Sequence, residues 1–131
     1  IYGPMRNPFE KLSLGKIEIV SKKGQVFSRI HVDDIVGIIK KSIENSSKGG
    51  VYNLADDLPS SNSDFIKEAA NILGVNAPPT KNFEDANLSE MAKSFYLECK
   101  QVSNEKVKSD FEYKFKYPTY KLGLLAEYPK R

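Results

Sequence analysis

The sequence predicts an α/β domain, and three observations carry that prediction. Short alternating apolar runs stand beside segments with a helical apolar period, in the order strand, helix, strand, helix through the middle of the chain. That order calls for at least one parallel crossover. The composition is that of an ordinary globular protein, with 131 residues, 40% hydrophobic and 28% charged. A chain of this length buries a core without a disulfide or metal staple, and a single domain over 1–131 is expected.

The elements follow in chain order. Ile17-Glu18-Ile19-Val20 alternates and reads as a strand, with Lys22-Lys23-Gly24 as its turn. Gln25 to Val32 reads as a second strand with Val26, Ile30 and Val32 on one face. Asp33-Asp34 opens a helix, where short carboxylates cap free N–H groups and complement the helix dipole. Ile35, Ile38, Ile39 and Ile43 form its apolar stripe, Lys40, Lys41 and Lys48 come late, and Gly49-Gly50 ends the segment.

Val51-Tyr52-Asn53-Leu54-Ala55 reads as a short strand and Asp56-Asp57-Leu58-Pro59 as a loop. Ser61 or Ser63 caps the next helix, with Phe65, Ile66, Ala69, Ala70, Ile72 and Leu73 inward and Gly74 at its end. Asn76-Ala77-Pro78-Pro79 is a stiff connector. Asn87-Leu88-Ser89-Glu90 has capping-box spacing and leads a helix with Leu88, Met91, Ala92 and Phe95 on its inner face. Lys100-Gln101-Val102 is a short strand candidate, and Ser103 or Asn104 caps a helix over Glu105–Phe111. A last helix carries Leu122, Leu124, Leu125 and Tyr128.

Charge is unevenly spread. Residues 1–50 hold nine bases and five acids, residues 51–99 three and eight, and residues 100–131 eight and four. Two basic ends around an acidic middle suit anion recognition, although solvated helix faces explain them as well. In Phe111-Glu112-Tyr113-Lys114-Phe115-Lys116-Tyr117, rings alternate with charge. Single-stranded nucleic acid is one use of such a segment, but a net charge of +3 favours a half-buried strand with rings inward. No nucleic-acid partner is expected. No apolar run approaches the roughly 20 residues of a membrane helix, so no membrane partner is expected either.

Single-site chemistry is sparse. Cys99 is the one cysteine and His31 the one histidine, which excludes a Cys/His zinc site, and no metal is expected. A lone thiol and the lack of a signal-peptide pattern point to the cytoplasm. The first residue is Ile1 rather than Met, which suggests an excerpt of a longer protein. The sequons Asn45-Ser46-Ser47 and Asn87-Leu88-Ser89 are coincidental in that compartment. No phosphate-cradling glycine loop, GxSxG or HExxH is present. Asp33-Asp34 and Asp56-Asp57 are adjacent pairs, better suited to capping than to acid–base work. His31 reads as a structural residue, so no catalytic residue is assigned. Arg29 can fork onto a phosphate, although spacing by itself favours a solvent-facing strand residue.

Four stretches in order resemble one family. Ile1-Tyr2-Gly3-Pro4 with Arg6-Asn7-Pro8 is similar to the segment after the sixth strand of extended short-chain dehydrogenases/reductases. Phe27-Ser28-Arg29-Ile30-His31-Val32-Asp33-Asp34-Ile35 resembles their R-x-x-H-V-D-D junction, and Val51-Tyr52-Asn53-Leu54 their Y-N-V/L strand. Lys100-Gln101-Val102-Ser103-Asn104, then Tyr117-Pro118-Thr119-Tyr120 with Gly123-Leu124, resembles an atypical, NAD-dependent epimerase/dehydratase-like branch.

The resemblance implies the C-terminal, substrate-binding portion of a Rossmann-type NAD(P)-binding fold, a small mixed sheet with flanking helices, with residues 1–8 ending the Rossmann part. The glycine-rich turn and the Tyr-x-x-x-Lys pair would lie upstream. NAD or NADP would bind the full-length parent, and none is expected to bind this chain alone. By the same resemblance Arg29 is substrate-binding, Tyr2, Gly3 and Pro4 are cofactor-proximal, and Asp33 and Asp34 are structural. The substrate is a small molecule, nucleotide-linked in the family's sugar epimerases. The other expectation weighed is a non-catalytic protein-interaction module. Either form is expected to be a homodimer, through the Val51–Ala55 edge and the isoleucine stripe.

Overall fold

Helices carry most of the order. The computed structural model describes residues 1–45 and 49–128. In chain order the elements are α1 (Phe9–Ser13), β1 (Ile19–Ser21), α2 (Val32–Glu44), α3 (Asn62–Leu73), β2 (Thr80–Asn82), a 3₁₀ turn (Phe83–Asp85), α4 (Glu90–Leu97), α5 (Glu105–Phe111) and α6 (Tyr120–Glu127). β1 and β2 pair in parallel, Ile19 opposite Thr80 and Ser21 opposite Asn82. The crossover between them runs through α2 and α3. The α/β class with a small, helix-flanked sheet is therefore present, and its one ladder among the described residues is parallel.

Two clusters form the core. Tyr2, Phe9, Leu12, Ile19, Phe65, Ile66, Ala69, Ala70, Tyr120 and Leu124 join the amino-terminal segment, α1, β1, α3 and α6. Ile30, Ile38, Val107 and Phe111 join α2 to α5, with Tyr52, Leu54, Tyr113 and Phe115 packed on them. α3 begins as its sequence requires: the Ser61 hydroxyl accepts from Asp64 N at 3.0 Å. It ends at Gly74 in the left-handed region, φ 74°, where a Cβ is strained.

Several expectations are corrected. The second strand over 25–32 forms no ladder, because its backbone is divided among different neighbours. Phe27 exchanges hydrogen bonds with Ser60, Tyr2 N donates to Ile30 O, Val32 N donates to Tyr2 O, and Asp56 N donates to Arg29 O. Only Ile30 of its expected inward face is fully buried, beside His31. Val51–Ala55 is not a strand; no segment among the described residues offers it a ladder, and Val51 is 87% exposed. Lys100-Gln101-Val102 reduces to one bridge, Phe27 with Lys100.

Helix ends and faces also differ. His31, not an aspartate, caps α2, its Nδ1 accepting from Asp33 N at 3.1 Å. Asp34 accepts instead from Tyr113 Oη and from the backbone of Lys116 and Tyr117, at 2.6–3.0 Å. α2 ends at Glu44, capped by Asn45, before Gly49-Gly50 is reached. Lys48 and the Ser46-Ser47 part of the first sequon lie outside the described residues. Ile39 and Ile43 of the isoleucine stripe are exposed, because α5 and the 113–115 segment cover only the Ile35 and Ile38 side.

Ser89 rather than Asn87 caps α4, accepting from Ala92 N. Tyr96, held between the Phe27 and Phe83 rings, turns inward while Met91 and Phe95 face out. In α6, Tyr120, Gly123 and Leu124 are buried, and Leu122 and Leu125 are exposed. The 111–117 segment keeps its alternation, rings inward and charges outward, without being a strand.

Candidate functional site

A cleft of about 490 Å³ opens between the amino-terminal segment, the start of β1 and the start of α3. Arg6, Lys11, Lys16 and Arg29 line it against a single carboxylate, Glu18, with Asn7 and Asn62 as neutral polar groups and Tyr2, Ile17, Phe65 and Ile66 as the apolar wall. Its local folding is set near the start of the chain. Arg6 and Gly3 exchange backbone hydrogen bonds, and Asn7 donates to Gly3 O while accepting from Phe9 N. This turn starts α1 and so carries Lys11 to the rim.

Arg29 is half-buried in the cleft wall. Its Nη1 donates to Ser60 O at 2.7 Å, to the Ser60 hydroxyl at 2.8 Å and to Phe27 O at 3.3 Å, and its Nη2 donates to Ser61 O at 3.3 Å. The guanidinium carbon lies over the Phe65 ring, 4.6 Å from its centroid, a cation–π contact. Every one of these acceptors is uncharged. Nε–H and one Nη2 hydrogen have no partner among the described residues. Burial holds Arg29 below its ordinary value, opposed by the Asp56 charge and then by Tyr120, Tyr2 and Asp64.

Tyr2 lines the cleft with its ring, and its hydroxyl is buried against Gly123 without a hydrogen-bond partner among the described residues. Burial, then Asp56 and Asp34, push that hydroxyl well above the usual phenol range, so it is no proton acceptor at neutral pH. Gly3 is buried beneath, packed toward Val32, and Pro4 is exposed away from the cleft. Of the positions named from sequence, the structure therefore brings Arg29 and Tyr2 to one cleft and leaves Gly3 and Pro4 outside its lining.

His31 is fully buried and tied through both nitrogens. Nδ1 accepts from Asp33 N, which assigns the proton to Nε2, donating to Glu127 Oε1 at 3.0 Å. Asp56 is buried, its N donating to Arg29 O; Oδ1 accepts from Leu58 N at 3.0 Å, Oδ2 has no partner among the described residues, and burial pushes the carboxyl up to about 6. Sequence reasoning missed Arg6, Lys11, Lys16 and Asn62. The signal that points to the first three is the basic excess of residues 1–50.

Among the described residues no group of three His, Cys, Asp or Glu is placed to hold a metal. No described helix is long and apolar enough to cross a membrane. The arrangement can gather and orient an anion. The starts of α2 and α3 are capped by their own His31 and Ser61 side chains and carry Asp33, Asp34 and Asp64 in their first turns, which disfavours an anion at those two helix ends.

Comparison with known proteins bears on the fold. A functionally unknown conserved protein from Silicibacter pomeroyi DSS superposes with TM-score 0.88 at 44% identity, over 96% of this chain and 44% of that one. The human epimerase family protein SDR39U1, solved with NADPH, superposes with TM-score 0.73 at 22% identity, over 91% and 40%. The dTDP-glucose 4,6-dehydratase of Bacillus anthracis str. Ames, in complex with NAD, superposes with TM-score 0.71 at 20% identity, over 96% and 40%. The fold is that of part of a Rossmann-like epimerase/dehydratase chain. The chain spans less than half the length of each of these structures. No protein-family model and no curated protein matches it.

Proposed function

We propose that this chain is the substrate-binding, C-terminal portion of an NAD(P)-dependent epimerase/dehydratase-like protein, residues 1–8 ending the Rossmann part, and that the Arg29 cleft receives a small anionic, nucleotide-linked substrate. The observation that carries the reading is a half-buried arginine whose hydrogen-bond partners are all neutral, in a cleft with three further cations and one carboxylate. A phosphate there takes the open Nε–H and Nη2 hydrogen of Arg29, while Arg6, Lys11 and Lys16 draw the anion in. The Phe65 and Tyr2 rings and the Ile17 and Ile66 side chains accept its apolar body. In such a parent the nicotinamide dinucleotide supplies hydride exchange. No step through it is assigned to this chain, whose α2 and α3 starts are acidic and self-capped, and none of the dinucleotide is expected to bind it alone.

The test is calorimetric titration of the chain with uridine diphosphate and, separately, NADPH. The diphosphate is expected to bind, and Arg29→Lys, which keeps the charge and loses the fork, to weaken it about tenfold or more. Unchanged affinity in Arg29→Lys removes Arg29 from the site. Saturable micromolar NADPH binding that persists in the presence of saturating uridine diphosphate places the chain elsewhere in its fold.

One observation favours the second reading, an interaction module. Val36, Ile39 and Ile43 form an exposed apolar row on α2, and on either reading we propose self-association through that face.

A further inference from the structure

Asp56 and Arg29 are bound into one loop. Asp56 N donates to Arg29 O at 2.6 Å, and four residues later Ser60 and Ser61 return to hold the Arg29 guanidinium through two carbonyls and a hydroxyl. The Asp56 residue is only 3% exposed, with one side-chain oxygen satisfied by Leu58 N and the other buried and unpartnered among the described residues. A carboxylate placed so lacks the donors that normally fix the charged form. The guanidinium, in turn, has only neutral hydrogen-bond partners, so its compensating charge acts through space.

We propose that Asp56 is the proton-gated counter-charge of the Arg29 cleft: an anion binding at Arg29 displaces Asp56 as its electrostatic partner, and the Asp56 carboxylate takes up a proton from solvent. This rests on the anion-binding reading of the cleft. The charged and titratable groups facing Asp56 are Arg29 from the extended segment, Asp34 from α2, Asp57 beside it, and Tyr2 from the amino-terminal segment. Asp34 and Asp57 already hold donors of their own, three for Asp34, and Asn104 with Lys108 for Asp57. That leaves Asp56 as the one of these three carboxylates with a buried, unpartnered oxygen among the described residues. Its titration near pH 6, raised by burial, puts the exchange within the working range of a protein. By linkage, protonating Asp56 strengthens the anion site by the same factor that the anion strengthens protonation.

The probe is sulfate, whose charge is constant between pH 5 and pH 8. The wild-type chain is expected to bind it about tenfold more tightly at pH 5 than at pH 8, the effect of one like charge removed at several ångströms in a partly wet site. Asp56→Asn keeps an oxygen for Leu58 N and is expected to bind at the tight level, within about twofold, at both values. At pH 6, calorimetry of the wild type in two buffers of different ionisation enthalpy is expected to give uptake of roughly 0.4 proton per sulfate. A full wild-type pH dependence retained in Asp56→Asn overturns the proposal and leaves the cleft reading standing. Zero proton uptake by the wild type overturns it without need of the variant. No sulfate bound at any pH overturns the cleft reading, and the proposal with it.

Discussion

The two halves of the core are finished differently. Around α3 the chain closes on itself: α1, β1 and α6 surround Phe65, Ile66, Ala69 and Ala70, and the alanines let the elements approach closely. Around α2 closure is one-sided. Ile38 and Ile35 meet α5 and the 113–115 rings, while Val36, Ile39 and Ile43 stay exposed. Both helices have a clear apolar period in sequence. The period says that a face is to be covered; it does not say by what. The buried aspartates divide in the same way. Asp34 is saturated with donors and pins the 113–117 segment to α2, and Asp56, bonded through its backbone to Arg29, has an oxygen left over.

The sharpest way to break this comparison is Asp34→Ala. It strips the acceptor from two backbone N–H groups and one phenol in a fully buried place, and about 3–5 kcal/mol of stability is expected to go. Urea unfolding measures it, and a loss below 1 kcal/mol would show that the tail is not held there. Leu124→Ala in the closed half is expected to cost about 2–5 kcal/mol, because Leu124 is wholly buried among α3 and amino-terminal side chains. A smaller effect than that of an exposed α2 residue would invert the comparison. Gly123→Ala is next: its new methyl meets the Tyr2 hydroxyl, and about 1–3 kcal/mol is expected despite alanine's helix preference. Thermal melts of the single variant and of Gly123→Ala with Tyr2→Phe read it, and equal destabilisation in both would exclude the hydroxyl as the cause.

Asp56 gives a pH dependence of definite sign. Its folded value of about 6 lies above its ordinary value of 3.8, so the folded state holds the proton more tightly. Stability is fully present below about pH 4 and falls as pH rises through 6, by about 1–2 kcal/mol after solvent screening. Asp56→Asn is expected to flatten that window in denaturant curves at pH 4.5 and 7, and an unchanged slope would assign the titration elsewhere. The smallest effect belongs to Ile43→Ser, within about 0.5 kcal/mol of wild type in unfolding but less self-associated in sedimentation runs at several concentrations. A wild-type chain that stays monomeric throughout would refute the α2 interface.

Much of this was legible in the sequence. The existence of α2, α3, α5 and α6 follows from their apolar period, and the Ser61-to-Gly74 frame of α3 from its capping residues. What escaped was decided by partners far along the chain. Thr80-Lys81-Asn82 is polar and exposed, and becomes a strand only because β1 is beside it. The stretch over 25–32 alternates like a strand, yet shares its hydrogen bonds among Tyr2, Asp56 and Ser60. α4 turns Tyr96 inward, one position from the expected Phe95, because Phe27 and Phe83 bracket that ring. In the site, Arg29 and Tyr2 were marked by resemblance, while Lys11 and Lys16 reach the cleft through the turn at Gly3–Arg6 and α1, which no local pattern announced.

The central claim is that the cleft on the closed half, and not the bare face of α2, is the ligand site. The direct measurement is amide chemical-shift mapping of the labelled chain during titration with uridine diphosphate. Saturable shifts are expected at residues 1–18, at Arg29 and at residues 60–66, with α2 beyond its first turn and α5 unmoved. Shifts centred on Val36, Ile39 and Ile43, or none at Arg29 and the Ser60–Ser61 carbonyl loop, would contradict the account.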